Sequence, residues 1–109
     1  MRPKIVARQA EAQIQEIAAY ISQEYLDAAE RDLRSAFDTF FEWPDTVTPV
    51  QAHEALPKHI RRMHVTGFHG YVLFVSFKET EIVLLSAFSP GLSDRSKLSM
   101  TRASLDDQD

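Results

Sequence analysis

The chain has no cysteine, and this absence removes disulfides, thiolate nucleophiles and cysteine-ligated zinc together. It suits a reducing compartment, so the cytoplasm is the expected location. Glycine occurs only three times, too seldom to build a phosphate-cradling loop, and no Gly-x-Ser-x-Gly nucleophile elbow is present. No cofactor is expected. Long apolar runs are missing as well: the longest, Tyr71 to Val75 and Ile82 to Leu85, fall far short of the ~20 residues that span a bilayer. The basic start Met-Arg-Pro-Lys-Ile-Val-Ala-Arg lacks the apolar core of a signal peptide.

What is present reads as one globular domain. The 109 residues are 44% hydrophobic and 26% charged, and a chain of this size buries about 65% of the surface its unfolded form exposes. The net charge of −4 argues against a wholly electrostatic nucleic-acid binder. Its distribution says more. Residues 11–45 hold nine acids against Arg31 and Arg34, whereas residues 1–10 and 56–102 together hold ten bases against three acids. The same boundary separates helical from strand-like patterning, which predicts a cationic sheet backed by acidic helices.

Residues 3–8 suit a short edge strand. From Ala10 onward, Ile14, Ile17, Ala18, Ile21 and Tyr25 recur at helical spacing, giving an amphipathic helix of about four turns. A second helix is expected from Asp27, where Asp27 and Glu30 form a capping-box pattern, with Ala29, Leu33, Ala36, Phe37 and Phe40 as its apolar stripe. Few residues separate the two, so they form an antiparallel hairpin. Trp43-Pro44 ends the second helix, and Pro49 and Pro57 keep residues 44–59 mostly irregular, with a short helical turn near Gln51 to Ala55. Ile60 to Thr66, Tyr71 to Phe77 and Glu81 to Phe88 then read as three strands joined by hairpin-length turns.

The expected fold is therefore α+β: an N-terminal strand, an antiparallel helix hairpin and a three-stranded antiparallel meander, forming one small sheet packed on the helices. The domain is expected to span residues 1–98, with 99–109 a polar, flexible tail. The middle strand is apolar on both faces, so one face packs on the helices and the other is either covered by a partner chain or left as an apolar floor for an interaction.

Few residues offer chemistry. His59, His64 and His69 are five apart, a spacing that sends strand neighbours to opposite faces and does not build a metal site. Ser93-Asp94 offers a serine nucleophile only in a fold that brings it to His64. Arg61 and Arg62 are consecutive, so one faces the open side of the sheet and the other is a solvated or structural arginine. Together with Arg95 and Lys97, the open one forms a cluster suited to phosphate or to a carboxylate-rich partner.

The order strand, helix hairpin, proline-bearing connection and meander now joins three local motifs: Ala28-Ala29-Glu30-Arg31, Leu56-Pro57-Lys58-His59-Ile60-Arg61-Arg62, and the strands Gly70-Tyr71-Val72-Leu73-Phe74-Val75 and Ile82-Val83-Leu84-Leu85. Over residues 4–97 this resembles the RelE/ParE toxin superfamily of bacterial type II toxin-antitoxin modules. The resemblance implies a toxin neutralised by a cognate antitoxin whose C-terminal segment wraps the sheet, with Arg61, Arg62, Arg95 and Lys97 as target- or antitoxin-binding residues. Lacking that partner, the toxin is open to forming a homodimer.

The branch decides the target. RelE-like members cleave ribosome-bound mRNA, which needs a proton acceptor, a donor and a cation for the developing phosphorane charge; Arg61 or Arg62, and Arg95, match the cationic positions. The family's C-terminal tyrosine or histidine has no counterpart, since neither residue occurs after Tyr71, and His64 substitutes only if it faces the cleft. ParE-like members poison DNA gyrase without a nuclease centre, and the missing base and acidic net charge favour that branch, with no enzymatic activity. Ser93-Asp94-Arg95-Ser96 stands where many ParE relatives end in a His-x-x-Arg-Asp-like motif. A toxin-like fold kept only to bind an antitoxin and regulate its operon is the third reading.

Overall fold

In the computed structural model, residues 2–22, 26–44, 47–65, 71–88 and 93–108 are described, with only the backbone for 17–22, 26–30, 32, 33 and 108. The elements are β1 (Lys4–Val6), α1 (Arg8–Ser22), α2 (Leu26–Glu42), β2 (Val50–Gln51), β3 (Ile60–His64), β4 (Val72–Phe77), β5 (Ile82–Phe88) and α3 (Asp94–Gln108). One sheet runs in the order β1-β5-β4-β3-β2. The meander β3-β4-β5 is antiparallel, and β1 joins its β5 side in parallel.

Three features depart from what the sequence alone predicts. First, the sheet is mixed and five-stranded: β2 pairs with β3 through Val50–Arg62 and Gln51–Arg61, so Gln51 at the start of the expected helical turn is strand, and a single tight turn follows, closed by the Leu56 amide donating to the His53 carbonyl at 3.0 Å. Pro49 cannot donate a hydrogen bond and its fixed φ favours extended chain, which delivers Val50 to the edge. Second, α2 begins at Leu26, so Asp27 stands inside the first turn; the capping interaction assigned to Asp27 and Glu30 lies outside the described side chains, as do the contacts assigned to Ile17, Ala18, Ile21, Tyr25, Ala29 and Leu33.

Third, the segment expected as a polar tail is a helix through Gln108. Its start is a serine cap: the Ser96 amide donates to Ser93 Oγ at 3.2 Å, and the Ser93 hydroxyl donates to Ser96 Oγ at 3.1 Å. Its inward side carries little hydrocarbon. Leu98 and Leu105 are half-buried against the core, while Thr101 and Ser104 are fully buried. The small hydroxyls fit where larger side chains would not, and the weak amphipathic pattern hides the helix from a periodicity reading.

Strand alternation assigns the two faces. Ile60, Arg62 and His64 share one face with Val72, Phe74, Ser76, Ser86 and Phe88; Arg61 and Met63 share the other with Leu73, Val75 and Leu84. Helix α3 packs on the β5 side of the first face, where the Ser86 and Thr101 hydroxyls share a 2.9 Å hydrogen bond and Phe74 meets Phe88 edge to face at 5.2 Å. The helix hairpin covers the second: Lys4, in register with Ile82, donates its ammonium to the Phe41 and Trp43 carbonyls at 2.8 and 2.7 Å. That cation satisfies the unpaired carbonyls at the negative end of α2, whose last turn has no base of its own.

The apolar floor is therefore covered by the chain itself, and every residue of β5 is buried. A bulge at Leu85, the extra residue between the Phe74–Ser86 and Val75–Leu84 pairs, bends and twists the sheet there. Where β1 stops, the outer edge of β5 is closed by a side chain: the Ala87 amide donates to Gln13 Oε1 at 2.9 Å, while Gln13 Nε2 donates to Met100 Sδ at 3.4 Å and Gln9 Nε2 to the Met100 carbonyl at 2.7 Å. One face of α1 thereby ties α3 to an edge that would otherwise offer unpaired amides. Among the described residues, no helix is long and apolar enough to cross a membrane.

Candidate functional site

The site is built outward from β3. Its two arginines point to opposite faces, as consecutive strand residues must. Arg61 is half-buried and donates Nη1 to the Pro49 carbonyl at 3.3 Å, so it fastens the proline-bearing connection to the strand. Arg62 lies on the α3 face, opposite Val50 on one side and Phe74 on the other. Its Nε is buried without an acceptor. A buried charged donor without a partner costs more than the 1–3 kcal/mol typical of a neutral one, and an incoming anion recovers that cost. Arg61 is therefore the structural arginine and Arg62 the one with an unsatisfied donor.

The remaining cations are not on the sheet. Arg95 is exposed and Lys97 half-buried, both on the first turns of α3. The cluster expected from Arg61, Arg62, Arg95 and Lys97 is thus divided between β3 and α3, because the chain after β5 turns into a helix rather than trailing along the sheet. Arg102, one further helical position that the sequence does not single out, donates Nη2 to the Ala55 carbonyl at 3.1 Å. Its signal is the seven-residue spacing from Arg95, which means one helix face only once α3 is known to be a helix.

His64 is exposed and shares the strand face of Arg62. It also lines an open cleft of about 360 Å³ with Ser35, Asp38, Thr39, Glu42, Trp43 and Pro44 of the α2 end. The Trp43 indole is held in place by donating Nε1 to the Val47 carbonyl at 2.8 Å. Asp38 and Glu42 are thus the carboxylates that share a cleft with His64; two others lie elsewhere. Glu79 and Glu81 sit in the β4–β5 turn, beyond the Phe77–Ile82 end of the strands, whereas His64 pairs with Val72 at the other end. The length of β4 places them roughly 17 Å apart.

Two of the other histidines are described. His53 Nδ1 accepts the Ala55 amide at 3.0 Å, closing a tight turn. His59 is half-buried with Nε2 unpartnered; burial, and secondarily the Lys78 ammonium, push its pKa below the usual 6.5. His69 lies outside the described residues. Among the described residues, no group of three or more His, Asp or Glu side chains could hold a metal ion.

His59 makes stability pH-dependent in a stated direction. Its folded pKa is below 6.5, so above that pH it is neutral in both folded and unfolded chains and imposes no penalty. As pH falls below 6.5 the unfolded chain takes up the proton first, and stability declines until the folded pKa is passed. Melting temperatures measured on both sides of this pH should fall more steeply in the native chain than in His59→Gln. Equal slopes would show that another group carries the acid sensitivity.

No family model and no curated protein matches this chain.

Proposed function

We propose that this protein is the toxin of a type II toxin-antitoxin pair, of the ParE-like kind, acting in the cytoplasm by binding DNA gyrase and neutralised by a cognate antitoxin. The observation that carries the reading is Arg62: a half-buried arginine on the sheet face, its Nε unsatisfied, in an element order of strand, helix hairpin and meander. An acidic partner group that meets this guanidinium supplies the missing acceptor.

A second reading has one observation in its favour. His64 and Arg62 share a face, a base and a cation of the kind an mRNA endoribonuclease uses. Three assays separate the readings: induced expression without the neighbouring gene, gyrase supercoiling, and mRNA integrity on translating ribosomes. The expected result is growth arrest with supercoiling inhibited and mRNA intact, and loss of arrest in Arg62→Ala at an unchanged melting temperature. Cut mRNA with normal supercoiling replaces gyrase by the ribosome as target. Absence of arrest removes both toxic readings and leaves a module that binds antitoxin only.

A further inference from the structure

We infer that the outer side of α3 is the docking surface for an acidic amphipathic helix of a partner protein. The inference deepens the toxin-antitoxin reading and rests on it for the partner's identity: since α3 occupies the β5 side of the sheet face where an antitoxin is expected, the partner's surface extends onto α3. A groove of about 620 Å³ runs along the helix, lined by Arg95, Leu98, Ser99, Arg102, Ala103 and Asp106. These positions recur every three or four residues, so they form one stripe along the helix.

The stripe has the chemistry of a seam. Arg95 is exposed and has no partner among the described residues, and Arg102 commits one of its five donors to the Ala55 carbonyl. Seven residues at 1.5 Å each place them about 10 Å apart along the axis, which matches acidic residues one heptad apart on an opposing helix. Ser99 between them and Ala103 just beyond Arg102 are small and exposed, allowing close approach, and half-buried Leu98 offers an apolar contact. Asp106 closes the far end of the groove and repels acid there, so it sets the direction in which the occupant lies.

The same groove distinguishes a helix from a nucleic acid. A phosphate backbone would run its charge past Asp106, and among the described residues that line the groove none has an aromatic ring on which a base could stack. The chain's net charge of −4 further disfavours a polyanion that extends beyond the groove. An acidic helix places its carboxylates at the two arginines and its apolar stripe on Leu98, and need present no charge to Asp106.

The test uses the full chain and a synthetic peptide of about three heptads, with glutamates seven residues apart beside a leucine stripe, read by fluorescence anisotropy. Saturable binding is expected, weakened severalfold by Arg95→Ala and about tenfold by Ser99→Glu, which adds a like charge to an exposed position. The double variant Arg95→Glu, Arg102→Glu should prefer a peptide with lysine in place of glutamate, and circular dichroism keeps loss of fold separate from loss of binding. Binding unaffected by Ser99→Glu, tighter binding to a single-stranded RNA oligonucleotide, or self-association that Ser99→Glu abolishes would each overturn the assignment. Growth arrest is read separately: a chain that arrests growth but ignores the peptide rejects the groove alone, and one that binds the peptide without arresting growth rejects toxicity alone.

Discussion

Replacing Phe40 with alanine lowers the unfolding free energy by about 3–5 kcal/mol, the range for removing a large aromatic side chain from a close-packed interior. Phe40 has no solvent exposure, and it meets Phe41 edge to face with ring centres 5.1 Å apart. The ring belongs to the core between α2 and the sheet, so its loss leaves a cavity that the stiff strands β4 and β5 cannot collapse to fill. In a domain of this size each kcal/mol shifts the melting temperature by roughly 4–8 °C. That is a large share of the roughly 5–15 kcal/mol that native proteins hold in total. Phe41 is the control. It is 50% exposed, and Phe41→Ala should cost less than about 1 kcal/mol; equal losses from the two substitutions would mean that the packing around Phe40 is not as described.

Ending the chain before Ser93 removes α3, and the expected result is a fall in stability of about 3–5 kcal/mol together with self-association. Two half-buried leucines, Leu98 and Leu105, account for roughly half of that at ~1.5–3 kcal/mol per fully buried side chain. The remainder comes from Phe74, Phe88 and Val83, which are buried in the intact chain and lose their cover on that face. Newly exposed apolar surface of this kind drives association, so light scattering should show larger species for the truncated chain than for the full one. A truncated chain that scatters no more than the full chain and melts within a few degrees of it would show that α3 contributes nothing to the fold.

The interface under α3 is less stable than its burial implies. Ser86 and Thr101 satisfy one another, but Ser76 Oγ and Ser104 Oγ are buried without partners. Each orphaned hydroxyl costs on the order of 1–3 kcal/mol, which offsets part of what the leucines contribute.

Much of the fold is legible in the residues alone. The meander strands lie within two residues of their expected limits, because alternating and continuous apolar runs bounded by Gly67, Gly70 and Lys78-Glu79-Thr80 leave few other readings. Helix α2 ends at Glu42, as Trp43-Pro44 requires. That Arg61 and Arg62 point to opposite faces follows from strand alternation. Which of them is fastened depends on a carbonyl of Pro49, twelve residues away, that no local pattern encodes.

The C-terminal segment shows the opposite case. In Ser93-Asp94-Arg95-Ser96 the two serines form a helix N-cap. The signal is present, a serine followed by an acid at the first helical position, but the polar composition beyond it outweighs the cap. A helix that buries Thr101 and Ser104 instead of leucine has almost no periodic apolar stripe to find.

By itself the sequence determined the regional charge, the helix hairpin and the meander, because these follow from local propensity and periodicity, which each segment carries alone. Only the tertiary structure decided that β1 would lie parallel to β5, that α3 would cover the open face, and that the cations would be divided between strand and helix. Those outcomes depend on which surfaces remain unsatisfied after the local elements form, a property of the assembled sheet and not of any one segment.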